Sequence, residues 1–465
     1  MALINLSDDV KREIGSRILN YIQTGLNVEG RMPQWWADVE RQYRNEDPGF
    51  GDNANGRNKG YKQFHVPLSQ PRLDMLSAQI TTVIGKQNPY MTDMEDAEDI
   101  AEARQNLGHE VWKDAGFEQR IRQAATIAGC TDLAYIRVCP NYAQRGSLEM
   151  NVIHPEAVSV YPALPQGIQA CTCIGHRLWQ RRYVVDSLMD DNYYYKVSRL
   201  PAGTQDEYDV DQEQQHTGAE YGDISPDHDS ELIELWPCVV RLDLDKFKNP
   251  NSEGTEEKLY RATIEFKTGN LLCLEDYEFP YIWYFRTQLI GSPRYYYSGQ
   301  SVGRNLFPVQ DIYNTSWSTF FACTMQAASG GPVFGEGLNS GEKSFTFGMT
   351  DIIETDSPVT PWQGSVKFDG APFPAILERC EQIADQVARI SQNTTGAQAT
   401  GQTTATEQSI IAAGVAVGLE GYIAKFSEEF GMMMSLTMAI IASDFEAYKE
   451  RYGSEEQVNP NLVLQ

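Results

Sequence analysis

This 465-residue sequence has few positively charged residues. It has 38 lysines and arginines against 64 aspartates and glutamates, and its formal net charge is −26. A surface of that sign repels phosphate, which excludes a protein that wraps nucleic acid with a basic face. The need to keep the protein soluble is sufficient to explain such a charge. The charge also suits the wall of a channel through which DNA slides without sticking, because repulsion suppresses tight contacts.

Lysine and arginine are absent between Arg199 and Arg241, where eleven acidic residues occur. We predict an exposed acidic loop at 201–232, because a run of like charges repels itself and has little apolar content to bury. An acidic calcium site is the alternative interpretation, but the ligand spacing of an EF-hand loop does not occur there.

The sequence also lacks most patterns of catalysis and metal binding. It has neither a phosphate-binding P-loop nor a His-Glu-x-x-His motif, and its six histidines show no metal-ligand spacing. Residues 299–303 match the Gly-x-Ser-x-Gly elbow that presents a nucleophilic serine, here Ser301, in hydrolases. That elbow needs an apolar strand before it and a histidine after it, but residues 292–298 form no such strand and the last histidine is His228. We predict no enzymatic activity, no cofactor and no metal, and we predict that Ser301 begins a helix.

Long apolar runs and a signal peptide are missing too. Residues 1–9 show no basic region followed by an apolar core. The longest apolar runs, 410–419 and 432–442, are shorter than the roughly 20 residues that a membrane-spanning helix needs. The eight cysteines have no zinc spacing and are expected to be buried free thiols. We predict a soluble protein that is made inside the cell and has no membrane partner.

The apolar residues that are present follow helical and strand periods. Strands are predicted at 133–139, 148–153, 171–175, 233–244, 260–267 and 271–274. Helices are predicted at 8–23, 67–84, 96–128, 178–189, 301–329, 375–391 and 405–451. Pro308 is expected to kink its helix or to mark the true start of that helix. The pattern as a whole predicts an α+β fold that is mainly helical.

Three stretches, taken in their order along the chain, resemble one protein family. The first is Ile-His-Pro-Glu-Ala-Val-Ser-Val-Tyr-Pro at 153–162, and the second is Gly-Arg-Asn-Leu-Phe-Pro-Val-Gln-Asp-Ile-Tyr-Asn at 303–314. The third joins Ile-Ser-Gln-Asn-Thr-Thr-Gly at 390–396 to Gly401 and to Ala-Thr-Glu-Gln-Ser at 405–409. Together they resemble the portal proteins of tailed bacteriophages, in particular those of short-tailed phages, although the family often has aspartate where this chain has Tyr161.

The resemblance implies a structural protein of the virion, a ring of about twelve subunits at one capsid vertex. Such a ring is the conduit for packaging and ejection of double-stranded DNA. The implied partners are the large terminase that drives the DNA, the major capsid protein and scaffold, and the tail adaptor proteins. The alternative interpretation is another virion structural protein, such as a tail adaptor or an internal head protein.

The resemblance also implies a division of the chain into the parts of a portal subunit. It assigns an N-terminal wing to 1–175, a first stem helix to 176–190, a β-rich clip to 191–295, a second stem helix to 300–330, a further wing segment to 331–392, a tunnel loop to 393–404 and a long helix toward the crown to 405–465.

Two sets of site residues follow from the same resemblance. The tunnel loop would touch DNA phosphates weakly, through polar groups that carry no charge, on Asn393, Thr394, Thr395, Gln398, Thr400, Gln402, Thr403 and Thr404. The stem would pack against ring neighbours through Arg304, Gln310, Asp311, Asn314 and Trp317. The helix from Ala405 is apolar on several faces, so it too is expected to pack against ring neighbours.

Overall fold

The computed structural model describes residues 3–28, 33–45, 65–86, 98–141, 144–164, 167–197, 200–201, 232–248, 257–292, 294–329, 333–334, 360–361, 372–389 and 419–452. The chain divides into two compact units. The first unit comprises Met1–Pro33, Gln79–Gly299 and Gly421–Gln465, and the second comprises Gln34–Ala78 and Gln300–Glu420.

Helices account for most of the described secondary structure. They are α1 Asp8–Leu26, α2 Pro33–Tyr43, α3 Ser69–Lys86, α4 Glu98–Asp114, α5 Phe117–Thr131, α6 Arg182–Asp190, α7 Leu244–Lys248, α8 Val302–Ser329, α9 Pro372–Ala388, α10 Phe430–Ser443 and α11 Phe445–Tyr452. The strands are β1 Leu133–Pro140, β2 Leu148–Ile153, β3 Val158–Tyr161, β4 Cys173–His176, β5 Leu178–Arg181, β6 Leu232–Leu242, β7 Lys258–Glu265, β8 Leu271–Asp276, β9 Tyr284–Gln288, β10 Val333–Phe334 and β11 Thr360–Pro361. The described chain is therefore α+β and mainly helical, which confirms the predicted fold class.

The larger sheet of the first unit has the strand order β3-β4-β6-β7-β8, and β5 pairs with the start of β6. All of these pairs are antiparallel. Strands β3 to β5 come from 158–181, and β6 to β8 come from 232–276. The strands assigned by resemblance to the wing and to the clip thus belong to one sheet.

Helix α1 covers this sheet with one apolar face. Ile14, Ile18 and Ile22 recur every four residues, so they lie on the same side of the helix, and all three are fully buried. They belong to one core cluster with Trp236 of β6 and Ile264 of β7. Burial of each isoleucine contributes about 1.5–3 kcal/mol, which ties the N-terminal helix to the sheet.

The smaller sheet of the first unit has the strand order β2-β1-β9, with β1 in the centre beneath α5. Tyr135 of β1 stands opposite Arg286 of β9. Strand β9 was not predicted from the sequence. All five of its residues are buried, so it lacks the alternation of apolar and polar residues that marks a half-exposed strand.

Three predicted helices were wrong in extent. The helix predicted at 96–128 is two helices, α4 and α5, because Gly116 between them takes the left-handed conformation (φ +73°) that ends a helix. In the helix predicted at 178–189, residues 178–181 are strand β5 because they pair with β6. The predicted first stem helix is thereby reduced to α6. Helix α2 was not predicted.

The third correction concerns the long C-terminal helix. Its described part is helical at 419–426, turns at 427–429, continues as α10 and bends by 96° before α11. We call residues 421–452 the C-terminal segment. Many of its apolar side chains are buried within the chain, and the predicted packing of this helix against ring neighbours stays a prediction. The buried side chains include Phe426, Phe430, Met433, Leu436, Ile440 and Ile441.

A buried carboxylate, that of Asp132, organises the chain between β9 and α8. It accepts hydrogen bonds from the backbone N–H groups of Ile290 at 2.8 Å and Gly291 at 3.3 Å. It also accepts from the Gln288 side chain at 2.9 Å and from the Ser298 hydroxyl. Burial raises the pKa of Asp132 in spite of these four bonds. The carboxylate therefore positions the loop that follows β9.

Replacement of Asp132 tests this role. We expect Asp132→Ala to lower the free energy of unfolding of the first unit by about 3–5 kcal/mol, because buried donors lose their acceptor. Alanine is also strained at φ +77°. Asp132→Asn keeps an acceptor and tolerates the left-handed conformation, so its loss should be smaller. Urea denaturation measures both, and a loss below about 1 kcal/mol for the alanine variant would contradict the role.

Candidate functional site

The stretch 303–314 lies on α8 in the second unit, and α8 begins with a capped turn. Ser301 precedes the helix and is fully buried, and its Oγ accepts the backbone N–H of Arg304 at 2.9 Å. This is the bond of an N-cap residue, which satisfies a donor of the first turn that has no partner inside the helix. Ser301 therefore starts the helix, as predicted, and its hydroxyl is not displayed to solvent on an elbow.

The side chain of Gln310 connects α8 to the segment that leads into α3. Gln310 is 2% exposed. Its Oε1 accepts the backbone N–H groups of Leu68 at 2.8 Å and Ser69 at 2.9 Å, and its Nε2 donates to the Val66 carbonyl at 2.7 Å. Helix α3 begins at Ser69, so these N–H groups lie where helical donors lack partners. The amide of Gln310 caps α3 from a distant point in the sequence.

Asn314 extends the same contact by one helical turn. Its Oδ1 accepts from Nε2 of Gln310 at 2.8 Å and from the backbone N–H of Val66 at 3.2 Å. Its Nδ2 lies 3.4 Å from Nδ1 of His65. We call this pair of amides the Gln310–Asn314 clamp. Both amides therefore fasten α8 within the second unit, and the contact with a ring neighbour that the resemblance implies for them stays a prediction.

Arg304 and Phe307 contact α2 near the start of α8. The guanidinium of Arg304 lies 4.8 Å above the ring centre of Trp35, in cation–π geometry. Gln42 of α2 donates to the Phe307 carbonyl at 3.2 Å. Pro308 follows directly and lies inside α8, so it does not mark the start of the helix.

Trp317 lies in an aromatic cluster on the second half of α8. Its ring stacks on Phe321 at 5.8 Å and meets Tyr313 and Phe320 edge-on at 6.4 Å and 6.1 Å. Phe320 also lies 5.6 Å from Phe373 of α9. Trp317 therefore packs against aromatic side chains of its own helix, and the cluster joins α8 to α9.

Polar bonds fix α9 against α3 and α8. Arg72 of α3 donates to Asp385 of α9 at 2.9 Å, and both side chains are largely buried. The hydroxyl of Tyr313 donates to Glu381 of α9 at 3.0 Å. Burial, and the bond to Glu381, raise the pKa of Tyr313, so the phenol remains a donor at neutral pH. Helices α3, α8 and α9 thus form one corner, which we call the three-helix corner.

The outward side of this corner carries large apolar side chains. Ile312 and Phe321 of α8 are 54% and 37% exposed, and Ile376 of α9 is 41% exposed. Asp311 is exposed next to Ile312. Of the five predicted stem residues, Gln310 is buried, Arg304, Asn314 and Trp317 are partly exposed, and Asp311 is exposed. Their contact with a ring neighbour stays a prediction.

The remaining predicted residues divide between described and undescribed parts of the chain. The tunnel loop, 393–404, with its eight predicted DNA-contacting residues, lies outside the described residues, as does the helix start at 405–409. The stretch 153–162 is a turn and strand, in which Nδ1 of His154 accepts the backbone N–H of Glu156 at 3.3 Å before β3. The acidic loop 201–232 is described only at its two end residues.

Potential metal ligands, thiols and apolar helices are further features of the described residues. No group of three histidine, cysteine, aspartate or glutamate side chains in that part of the chain is arranged to hold a metal ion. The seven cysteines described there are buried free thiols, as predicted. No single described helix has both the length and the hydropathy to cross a membrane, although 419–443 and α11, on either side of the 96° bend, pass that test as a pair.

Removal of the Gln310 amide tests whether the Gln310–Asn314 clamp stabilises the second unit. We expect Gln310→Ala to lower the free energy of unfolding of the second unit by about 2–4 kcal/mol, since the buried N–H groups of Leu68 and Ser69 lose their acceptor. Asp311→Ala, one position along, is the matched control and should change it by less than about 0.5 kcal/mol. Urea denaturation followed by tryptophan fluorescence measures both variants, and equal effects would contradict the role of the clamp.

Comparison with known proteins adds no relative: no family model matches this chain, and no curated protein matches it. Any assignment of function therefore rests on the residue-level resemblance of 153–162, 303–314 and 390–409 to portal proteins, together with the geometry of the three-helix corner.

Proposed function

We propose that this chain is the subunit of a tailed-bacteriophage portal ring. The observation that carries the proposal is the run 303–314, which resembles the portal helix that follows the clip, and which here lies on a 28-residue helix, α8. The Thr- and Gly-rich stretch 393–404 and the Ala-Thr-Glu start at 405 then follow α9 in the order expected of a portal subunit.

The geometry of α8 supports the proposal because its side chains point in two opposite directions. Gln310 and Asn314 point into the subunit and fasten α8 to the start of α3. Asp311 and Ile312, which lie between them in the sequence, face outward. A cyclic ring needs a rigid helix with one face for its own subunit and another for the neighbour, because its interfaces join different surfaces.

The charge of the chain supports a passive conduit. A net charge of −26 disfavours tight binding of DNA phosphates, which would stop the DNA from sliding. In this proposal the uncharged groups of 393–404 touch the DNA, and a separate terminase supplies the energy. The capsid protein, the scaffold and the tail adaptors bind other surfaces of the same ring.

Electron microscopy of the purified full chain tests the assembly. We expect closed rings with a central channel, of about twelve subunits. Monomers or open filaments without any closed ring would contradict the proposal. Gel filtration before and after dilution provides the control, because a closed ring elutes as one discrete species.

Shortening of 393–404 tests the role of the loop separately. We expect its replacement by a short Gly-Ser linker to reduce DNA packaging or retention in particles while ring formation remains as in the wild type. Loss of ring formation would show that the segment is structural and does not serve the DNA. A same-length Gly-Ser replacement of 393–404 is the control, because it separates the loss of length from the loss of the polar side chains.

A further inference from the structure

Glu429 is a buried carboxyl at the junction between the C-terminal segment and β9. It stands directly before α10, at the end of the turn 427–429, and is 5% exposed. Its Oε2 accepts the backbone N–H of Arg286 at 2.6 Å. β9 is the outer strand of the three-stranded sheet. A single side chain of the C-terminal segment thus satisfies a donor of this edge strand.

The surroundings of Glu429 contain few groups that compensate a negative charge. β9 contributes Arg286, whose guanidinium lies 5.0 Å above the Tyr296 ring. Tyr296 in turn is hydrogen-bonded to Tyr135 of β1 at 2.8 Å. On another side, a Cβ on Gly167 would lie 3.4 Å from Oε1 of Glu429, so this backbone forms one wall of the site.

Three further titratable groups act on this carboxyl. Cys171, near Gly167, is a buried thiol whose pKa is raised by burial. Glu428 and Lys425 belong to the C-terminal segment itself and form an exposed ion pair with each other at 2.5 Å. The Arg286 side chain is thus the one nearby cation of the described residues that is buried with Glu429.

We propose that Glu429 is a proton-operated latch, which holds the C-terminal segment on the edge of β9 when its carboxyl is protonated and weakens that hold when it ionises. The neutral acid keeps an oxygen for the Arg286 N–H without a buried charge. The ionised form accepts the same bond but leaves a negative charge away from water, where charge is costly. The proposal goes beyond the portal function and does not rest on it.

The direction of the pH dependence follows from the folded and unfolded states. Burial outweighs the bond from the Arg286 amide and the Arg286 charge, and raises the pKa of Glu429 from 4.5 to about 7. Because the docked state has the higher pKa, docking takes up a proton. The contribution of Glu429 to the stability of the docked segment is complete below pH 4.5. It declines as the pH rises and is lost above pH 7. Between pH 6 and pH 8 the docking equilibrium should weaken about tenfold.

Hydrogen–deuterium exchange of the full chain tests the latch. The readout is the protection of backbone amides in 421–452, corrected for the intrinsic exchange rate, at pH 6 and pH 8. We expect about a tenfold loss of protection in the wild type. Glu429→Gln imitates the neutral acid and should keep its protection at both pH values. Glu428→Gln, which changes the exposed neighbour, is the matched control and should behave as the wild type.

Two results would overturn the latch. One is a wild-type segment whose protection does not change between pH 6 and pH 8. The other is a Glu429→Gln protein that loses as much protection as the wild type, which would place the titrating group elsewhere. If Glu429→Gln does not fold, Glu429→Met supplies an uncharged side chain of similar size, for which the same loss of pH dependence is expected.

Discussion

The second unit depends on the hydrogen bonds that the side-chain amide of Gln310 makes. This amide satisfies two backbone N–H groups and one carbonyl near the start of α3, all within 3 Å, and it holds Asn314 in place for a further backbone bond. Each buried donor left without an acceptor would cost about 1–3 kcal/mol. The bonds from Arg72 to Asp385 and from Tyr313 to Glu381 then add α9 to the same corner. The stretch 303–314, which resembles portal proteins, therefore lies on a helix whose orientation is fixed by contacts within the second unit.

The two buried carboxyls of the first unit share one physical cause and have different consequences. Burial raises the pKa of both Asp132 and Glu429. Asp132 receives two backbone and two side-chain donors, so its loop is held by several bonds at once. Glu429 receives the Arg286 amide across the junction to the C-terminal segment. The contact of Glu429 depends on this one hydrogen bond, so it is more sensitive to a change in the charge of its carboxyl than the loop held by Asp132.

Local sequence patterns predicted the elements whose burial is one-sided. The four-residue spacing of Ile14, Ile18 and Ile22 indicated α1, and β2 was predicted with its observed bounds. The local patterns failed where contacts between residues distant in the sequence determine the structure. The apolar period continues across Gly116, so it conceals the break between α4 and α5. Strand β9 is buried on both sides and shows no alternation.

The sequence drew attention to α8, but it did not indicate the contacts that hold α8 in place. The resemblance selected Gln310 and Asn314, yet their partners at 65–69 are more than 240 residues away in sequence. No local pattern indicates such a contact. Arg304 lies over Trp35 of α2, a helix that was not predicted from the sequence. Arg72 and Asp385 gave no signal, because isolated charged residues on helices are usually solvated.

The position of the chain in an assembled particle tests the central claim most directly. A short epitope tag after Gln465, followed by cryo-electron microscopy of tagged particles with bound antibody fragments, locates the subunit. If the chain forms a portal ring, label appears at one vertex of each capsid, at the level of the shell and above the tail adaptors. Label distributed over all vertices, dispersed inside the head or confined to the tail below the shell would contradict it.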